Sequence, residues 1–246
     1  MSGHSHFKTI KAKKSLEDQK RGKIFSKLTR LISVAAKEGK DPGTNSKLRQ
    51  ALEEAKSFNM PRENIERAIK RGTGELEGEK LEEILIEALD PSGIAIIISG
   101  ITDNKNRALI EIKQALQKHS AKLADSGSLK WQFDKKGCLV IDTPEQSEEF
   151  KNKEELGLKA IELGAEDIYF YEKDNILDIF TKPDELDKVK KGLEALGIKI
   201  SSSSLDWVPK EYIIVDEKEK ENCQKLFDAL DELDSVQDIY SNIELP

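Results

Sequence analysis

Histidine and cysteine are scarce in this 246-residue sequence: His4, His6 and His119 are the only imidazoles, Cys138 and Cys223 the only thiols. Two histidines on a charged tail fall short of a zinc site's ligand set, so no metal is expected. The thiols lie far apart in sequence, which fits a reducing compartment and two ordinary free cysteines. No phosphate-cradling glycine loop or nucleophile elbow is present, so neither a cofactor nor an enzymatic activity is expected. Long apolar runs are lacking too. The longest, Ile94 to Ile98 with a loose extension to Ile101, is far short of the roughly 20 residues a bilayer span needs. It reads as a buried strand, and no membrane contact is expected. Met1 to Lys8 carry no apolar core of the secretory kind, so a cytoplasmic location is expected.

Charge is abundant, at 35% of residues, and the net value of −7 argues at first against nucleic acid. Its distribution reverses that argument. Met1 to Gly74 hold 18 Lys and Arg against 8 Asp and Glu, a surplus of +10, whereas the rest holds 22 against 39, or −17. Two parts of one chain therefore carry opposite fields, and the first is suited to a polyanion.

The hydrophobic spacing organises the first part as three amphipathic helices. The first spans about 15–37 with Ile24, Leu28, Leu31 and Ala35 inward and Gly39 as its stop. The second follows Asn45 as N-cap, buries Leu48, Ala51, Leu52 and Ala55, and ends near Phe58. A third starts at Pro61 and turns Ile65, Ala68 and Ile69 inward. Three glycines between Gly72 and Gly78 then form a hinge.

Beyond the hinge the period becomes strand-like. A hairpin turns at Asp90-Pro91-Ser92-Gly93, and a helix covers about 105–119. Strands are expected near 129–133 and 138–142, separated by Lys135-Lys136-Gly137. A helix over about 145–163, strands at 168–171 and 176–180, a helix over about 184–196 and a strand at 198–202 follow. That order is the β-α-β-β-α-β pattern of a ferredoxin-like fold. A strand around 212–215, a helix over about 218–230 and a strand at 236–240 end the chain. Trp131, Phe133, Trp207 and Tyr212 are read as core aromatics. The fold class is α+β and multidomain: residues 1–74 a basic helical bundle with an N-terminal arm, 79–134 plus 206–246 a discontinuous α+β domain, and 135–205 a ferredoxin-like domain inserted in it.

The candidate site residues are basic. Lys8, Lys11, Lys13 and Lys14 form an arm that can order on a phosphate backbone. Lys20, Lys23, Lys27 and Arg30 recur at helical steps beside the apolar stripe, joined by Arg21. Only Glu17 and Asp18 lie near enough in sequence to pair with them, so their charge is expected to stay unpaired. Reversing Lys23, Lys27 and Arg30 should then abolish binding with the fold intact. Arg62, Arg67, Lys70 and Arg71 on the third helix are interspersed with Glu63 and Glu66, so solvated ion pairing competes with binding there. Asn104, Lys105 and Arg107 open a helix after a buried strand, where spacing alone favours ordinary capping.

The segments Gly3-His4-Ser5, Arg21-Gly22-Lys23-Ile24-Phe25-Ser26-Lys27-Leu28, Asn59 to Lys70, and Thr102-Asp103-Asn104-Lys105-Asn106-Arg107 closely resemble the YebC family. The resemblance extends over the whole chain and is dense through Gly74. The sequence departs from the family's pattern at His6-Phe7, Ala88 to Pro91, and His119 to Lys122. The resemblance implies a transcriptional regulator that binds DNA through the basic N-terminal domain, with the third helix as candidate recognition helix. It also implies the alternative of a ribosome-associated factor on ribosomal RNA, akin to the mitochondrial translational activator of cytochrome c oxidase, that relieves stalling at sequences such as polyproline. It adds Asn104, Lys105 and Arg107 to the nucleic-acid candidates. A monomer is expected.

Overall fold

Turn chemistry sets the first sheet. In the computed structural model, which describes residues 18–78, 80–147, 150, 152–171 and 175–244, Asp90 accepts from the Ser92 amide at 2.8 Å through its side chain and from the Gly93 amide at 3.0 Å through its carbonyl. Gly93 takes φ +83°, a left-handed position natural to glycine. The turn thereby joins β1 (Glu82–Leu89) to β2 (Ala95–Thr102) as an antiparallel hairpin with Glu82 opposite Thr102. Together with β3 (Lys122–Leu123) and β8 (Val236–Ser241) it forms a four-stranded sheet of order β3-β1-β2-β8.

The amino-terminal helices are α1 (Asp18–Ala35), prolonged by a 3-10 turn over Ala36–Glu38, α2 (Ser46–Ser57) and α3 (Arg62–Gly72). Asn45 caps α2 by accepting from the Leu48 amide, and its side-chain amide donates to the carbonyls of Ala35 and Gly39. One residue thus starts one helix and closes another. Pro61 sits at the N-cap of α3, one position before the expected start. Leu28, Ile32, Leu48, Ala51, Ala55 and Ala68 form the buried core of the bundle.

The chain divides into two compact units, one of residues 15–130 with 215–239, the other built on 131–214 with 240 onward. The first holds the three helices, the hairpin, α4 (Lys105–Lys118) and α7 (Glu217–Asp231). A capping box starts α7, with Asp216 and Glu219 bonding each other's backbone amides. Buried Glu87 fastens the loop before residue 131, accepting from the amides of Gly127, Leu129 and Lys130 at 2.5–2.9 Å. Burial by itself would raise this carboxyl, but the three amides outweigh it and hold the acid below its ordinary range. An acid that holds its proton more weakly when folded adds stability above its unfolded pKa, about 4.3. That stability disappears as pH falls through the lower folded value. Glu87→Gln sets an amide NH2 against backbone donors, and the full chain should lose about 3 kcal/mol in urea denaturation at pH 7. The gap to the parent should close below about pH 4.

The second unit contains β4 (Phe133–Asp142), α5 (Lys153–Leu163), β5 (Asp167–Tyr171), β6 (Ile176–Thr181), α6 (Leu186–Ala195) and β7 (Ser202–Pro209). Its sheet runs β5-β6-β4-β7 with antiparallel neighbours, the strand order of a ferredoxin-like βαββαβ unit. Leu139, Ile141, Leu177 and Ile179 on one face pack with Leu156, Ala160, Val189 and Leu193 of the two helices. Asp178 is fully buried, and burial together with the charge of Asp206 raises its carboxyl well above the ordinary range.

Several expectations are corrected here. β4 continues through Lys135-Lys136-Gly137 without a turn, and a Cβ on Gly137 would stand 2.3 Å from Thr181 Oγ1. That glycine serves close packing. The segment before it, 130–132, is a 3-10 turn instead of a strand, and Trp131 is 67% exposed instead of core. The strand expected at 198–202 lies at β7, because the Ile198 amide closes α6 on the Leu193 carbonyl and Lys199 bonds the side chain of Gln146. Gln146 also donates to the carbonyls of Asp142 and Lys199, so α5 starts after Asn152 and not near 145. The strand expected around 212–215 reduces to a single parallel bridge, Ile213 with Ile243.

Candidate nucleic-acid interface

On α1 and its 3-10 extension, Ser26, Thr29, Arg30, Ser33 and Lys37 recur at helical steps and share one face. Asn64, Arg67 and Arg71 do the same on α3. Two features bring those faces together. Ser33 Oγ donates to the Ala68 carbonyl at 2.9 Å, and the position of a Cβ on Gly72 falls 2.2 Å from the Ser33 carbonyl oxygen. The helices therefore touch at one end, and a cleft of about 560 Å³ opens along them, closed further by Phe25, Glu77, Gly78 and Leu81.

Four cations line this cleft, Arg30, Lys37, Arg67 and Arg71, against one carboxylate, Glu77. Lys37 donates to the Leu81 carbonyl and Arg30 to the Asp234 carbonyl, so neutral acceptors fix both groups and leave their charge in place. Among the described residues neither Arg67 nor Arg71 has an ion-pair partner, and both are exposed. Guanidinium groups with no carboxylate to satisfy them suit a phosphate, which they can bind bidentately.

The remaining candidates separate into groups. Lys8, Lys11, Lys13 and Lys14 lie outside the described residues, and Lys20 falls within α1 with its side chain outside them. Arg21 lies over the Phe25 ring, 5.7 Å from its centroid. Arg62 pairs with Glu66 at 2.8 Å. Lys70 is exposed on the last turn of α3 and lies outside the cleft lining. Asn104 caps α4 by accepting from the Arg107 amide, while Lys105 pairs with Glu82 and Arg107 with Asp103. Residues 102–107 thus serve helix capping and solvent-exposed ion pairing within their own unit.

The expectation of an unpaired face on α1 is corrected. Lys23 reaches Glu232 at 2.8 Å, Lys27 reaches Asp231 at 2.9 Å, and Arg30 reaches the Asp234 main chain. Acids more than 200 positions away meet Lys23 and Lys27 at the end of α7. Lys27 is the most enclosed, its side chain 14% exposed. Burial lowers its pKa, opposed by Asp231. Lys27→Glu sets two carboxylates together and should cost about 3–5 kcal/mol of stability in thermal or urea unfolding of the full chain. Glu232 is largely exposed, so its pair with Lys23 is worth less than about 1 kcal/mol.

Lys37, Ser26, Thr29 and Asn64 escaped the sequence reading. The signal was the helical step itself, since Arg30, Ser33 and Lys37 continue one stripe past the regular end of α1. Among the described residues no three His, Cys, Asp or Glu side chains group so as to hold a metal, and no helix is long and apolar enough to cross a membrane.

Comparison with known proteins adds to this geometry. Residues 5–75 match the description "TACO1/YebC protein N-terminal domain", and residues 81–243 match "TACO1/YebC second and third domain". A protein of Halothermothrix orenii named "Probable transcriptional regulatory protein" is 46% identical over 248 residues, covering 100% of this chain and 96% of its own. One of the same name from Aquifex aeolicus is 46% identical over 248 residues, covering 100% and 97%. Among solved structures, that of a conserved hypothetical protein from Aquifex aeolicus superposes with a TM-score of 0.84 at 44% identity, over 93% of this chain and 92% of the other.

Proposed function

We propose that this chain, which belongs to the TACO1/YebC family, is a transcriptional regulator that holds DNA by its phosphate backbone in the cleft between α1 and α3. The observation that carries the reading is the cluster of Arg30, Lys37, Arg67 and Arg71 with one facing carboxylate. The relatives' name supports the regulatory part of it. In this reading the acidic remainder of the chain keeps phosphate away from other surfaces, and the basic arm at residues 8–14 extends the contact.

Phosphate contacts give affinity without identifying the target. A second reading, a factor on ribosomal RNA, is favoured by the recessed position of the cations between two helices, because folded RNA offers projecting loops. Crosslinking in living cells, followed by sequencing of the nucleic acid recovered with the full chain, tests both. Enrichment of particular promoters supports the transcriptional reading, and enrichment of ribosomal RNA replaces it with the second. Recovery of neither overturns the reading altogether.

A further inference from the structure

The shape of the cleft bears on which form of nucleic acid it accepts. A helix that reads duplex DNA carries its reading side chains on a face that protrudes into a major groove about 12 Å wide. The cation-bearing stripe of α3 does the opposite. Asn64, Arg67 and Arg71 look into a space whose other wall is α1, with Ser26, Thr29, Arg30 and Lys37 across from them. Ser33 and Gly72 hold the two walls in contact at one end, so α3 cannot turn that stripe outward without breaking the bundle.

The volume and the lining chemistry agree with one another. About 560 Å³ lies within the range of clefts that enclose a small ligand, roughly 300–1,000 Å³. That is room for the nucleotides of one strand. Besides its cations the cleft offers the Asn64 amide and the Ser26 hydroxyl, and among the described residues neither side chain has a hydrogen-bond partner. Such groups pair with base edges, and the Watson–Crick edges are free to accept or donate only in an unpaired strand. The planar guanidinium groups of Arg67 and Arg71 add surfaces for stacking.

Resting on the reading above, we propose that the α1–α3 cleft takes an unpaired stretch of nucleic acid, one strand and not a duplex. The strand lays its phosphates along Arg30, Lys37, Arg67 and Arg71 and presents its base edges to Asn64 and Ser26. Melted DNA and RNA loops share this chemistry. Fluorescence anisotropy of the full chain tests it with one labelled sequence supplied as single-stranded DNA, single-stranded RNA, a stem-loop and a blunt duplex at the same salt. The unpaired forms and the stem-loop should bind about tenfold or more tightly than the duplex. Asn64→Ala with Ser26→Ala should narrow that ratio several-fold by weakening the unpaired forms most. Equal or tighter binding of the duplex overturns the proposal, and if that binding needs Arg67 and Arg71, nucleic-acid binding at the cleft still stands. Binding of no form overturns both.

Discussion

Reversing Arg67 and Arg71 to Glu together should weaken nucleic-acid binding by about 100-fold or more, equivalent to about 3 kcal/mol, while the unfolding midpoint stays where it was. Both side chains are exposed on α3 and neither has an acidic partner among the described residues, so the fold loses no ion pair when they go. The cleft, by contrast, changes sign: four cations against Glu77 become two cations against three carboxylates. Every phosphate that the variant no longer neutralises should also flatten the salt dependence on a single strand by about 0.7 of a unit of slope. Binding and denaturation measured on one preparation separate this outcome from misfolding. A variant that binds as tightly as the parent would show that phosphate is held elsewhere.

The same substitution at two glycines should act in opposite directions. Gly72→Ala puts a Cβ 2.2 Å from the Ser33 carbonyl oxygen and 2.8 Å from the Ala36 Cβ, where backbone and buried methyl cannot yield without moving a helix. The bundle should lose about 3 kcal/mol, and the α1–α3 cleft should change shape with it. Gly22 lies in α1 with nothing within 4 Å of its would-be Cβ. There alanine should stabilise by about 0.5–1 kcal/mol, through helix propensity alone. Urea denaturation of both variants reads the difference directly. Two destabilised variants of equal size would mean that the close α1–α3 approach is not what fixes the cleft.

Local chemistry was legible in the sequence. Asn45 and Asn104 cap the helices that their positions announce, and Asp90 to Gly93 turn the hairpin where the residues require it. Apolar spacing located the bundle's buried stripe, although Ile32 is fully buried while Leu31 is only partly so. What sequence could not carry were pairings between distant segments. Nothing near Lys23 or Lys27 announces Glu232 and Asp231, so two charges read as free are in fact paired, while Arg30 meets only a main-chain carbonyl. Gly137 looked like a turn because glycine permits turns, yet the facing Thr181 and Leu186 demand its small size. Ile198 and Ile200 looked like a strand because they alternate, yet the first ends α6 and the strand begins at Ser202.

The candidate site was half legible for the same reason. Arg30, Arg67 and Arg71 stood out by charge, but only the approach of α1 to α3 brings them to one cleft and adds Lys37. The pairing with α7 also changes what a charge reversal on α1 can show. Reversal of Lys23, Lys27 and Arg30 does not isolate binding, since Lys27 contributes to the fold through Asp231.

Four cations facing one carboxylate grip a polyphosphate chain in this reading, and a salt titration reads that grip without any substitution. The affinity of the full chain for a single-stranded oligonucleotide should fall linearly on logarithmic axes, with a slope near −0.7 per phosphate engaged, about −3 for the whole cleft. A slope close to zero, or no binding at low salt, would mean that the cleft does not hold phosphate.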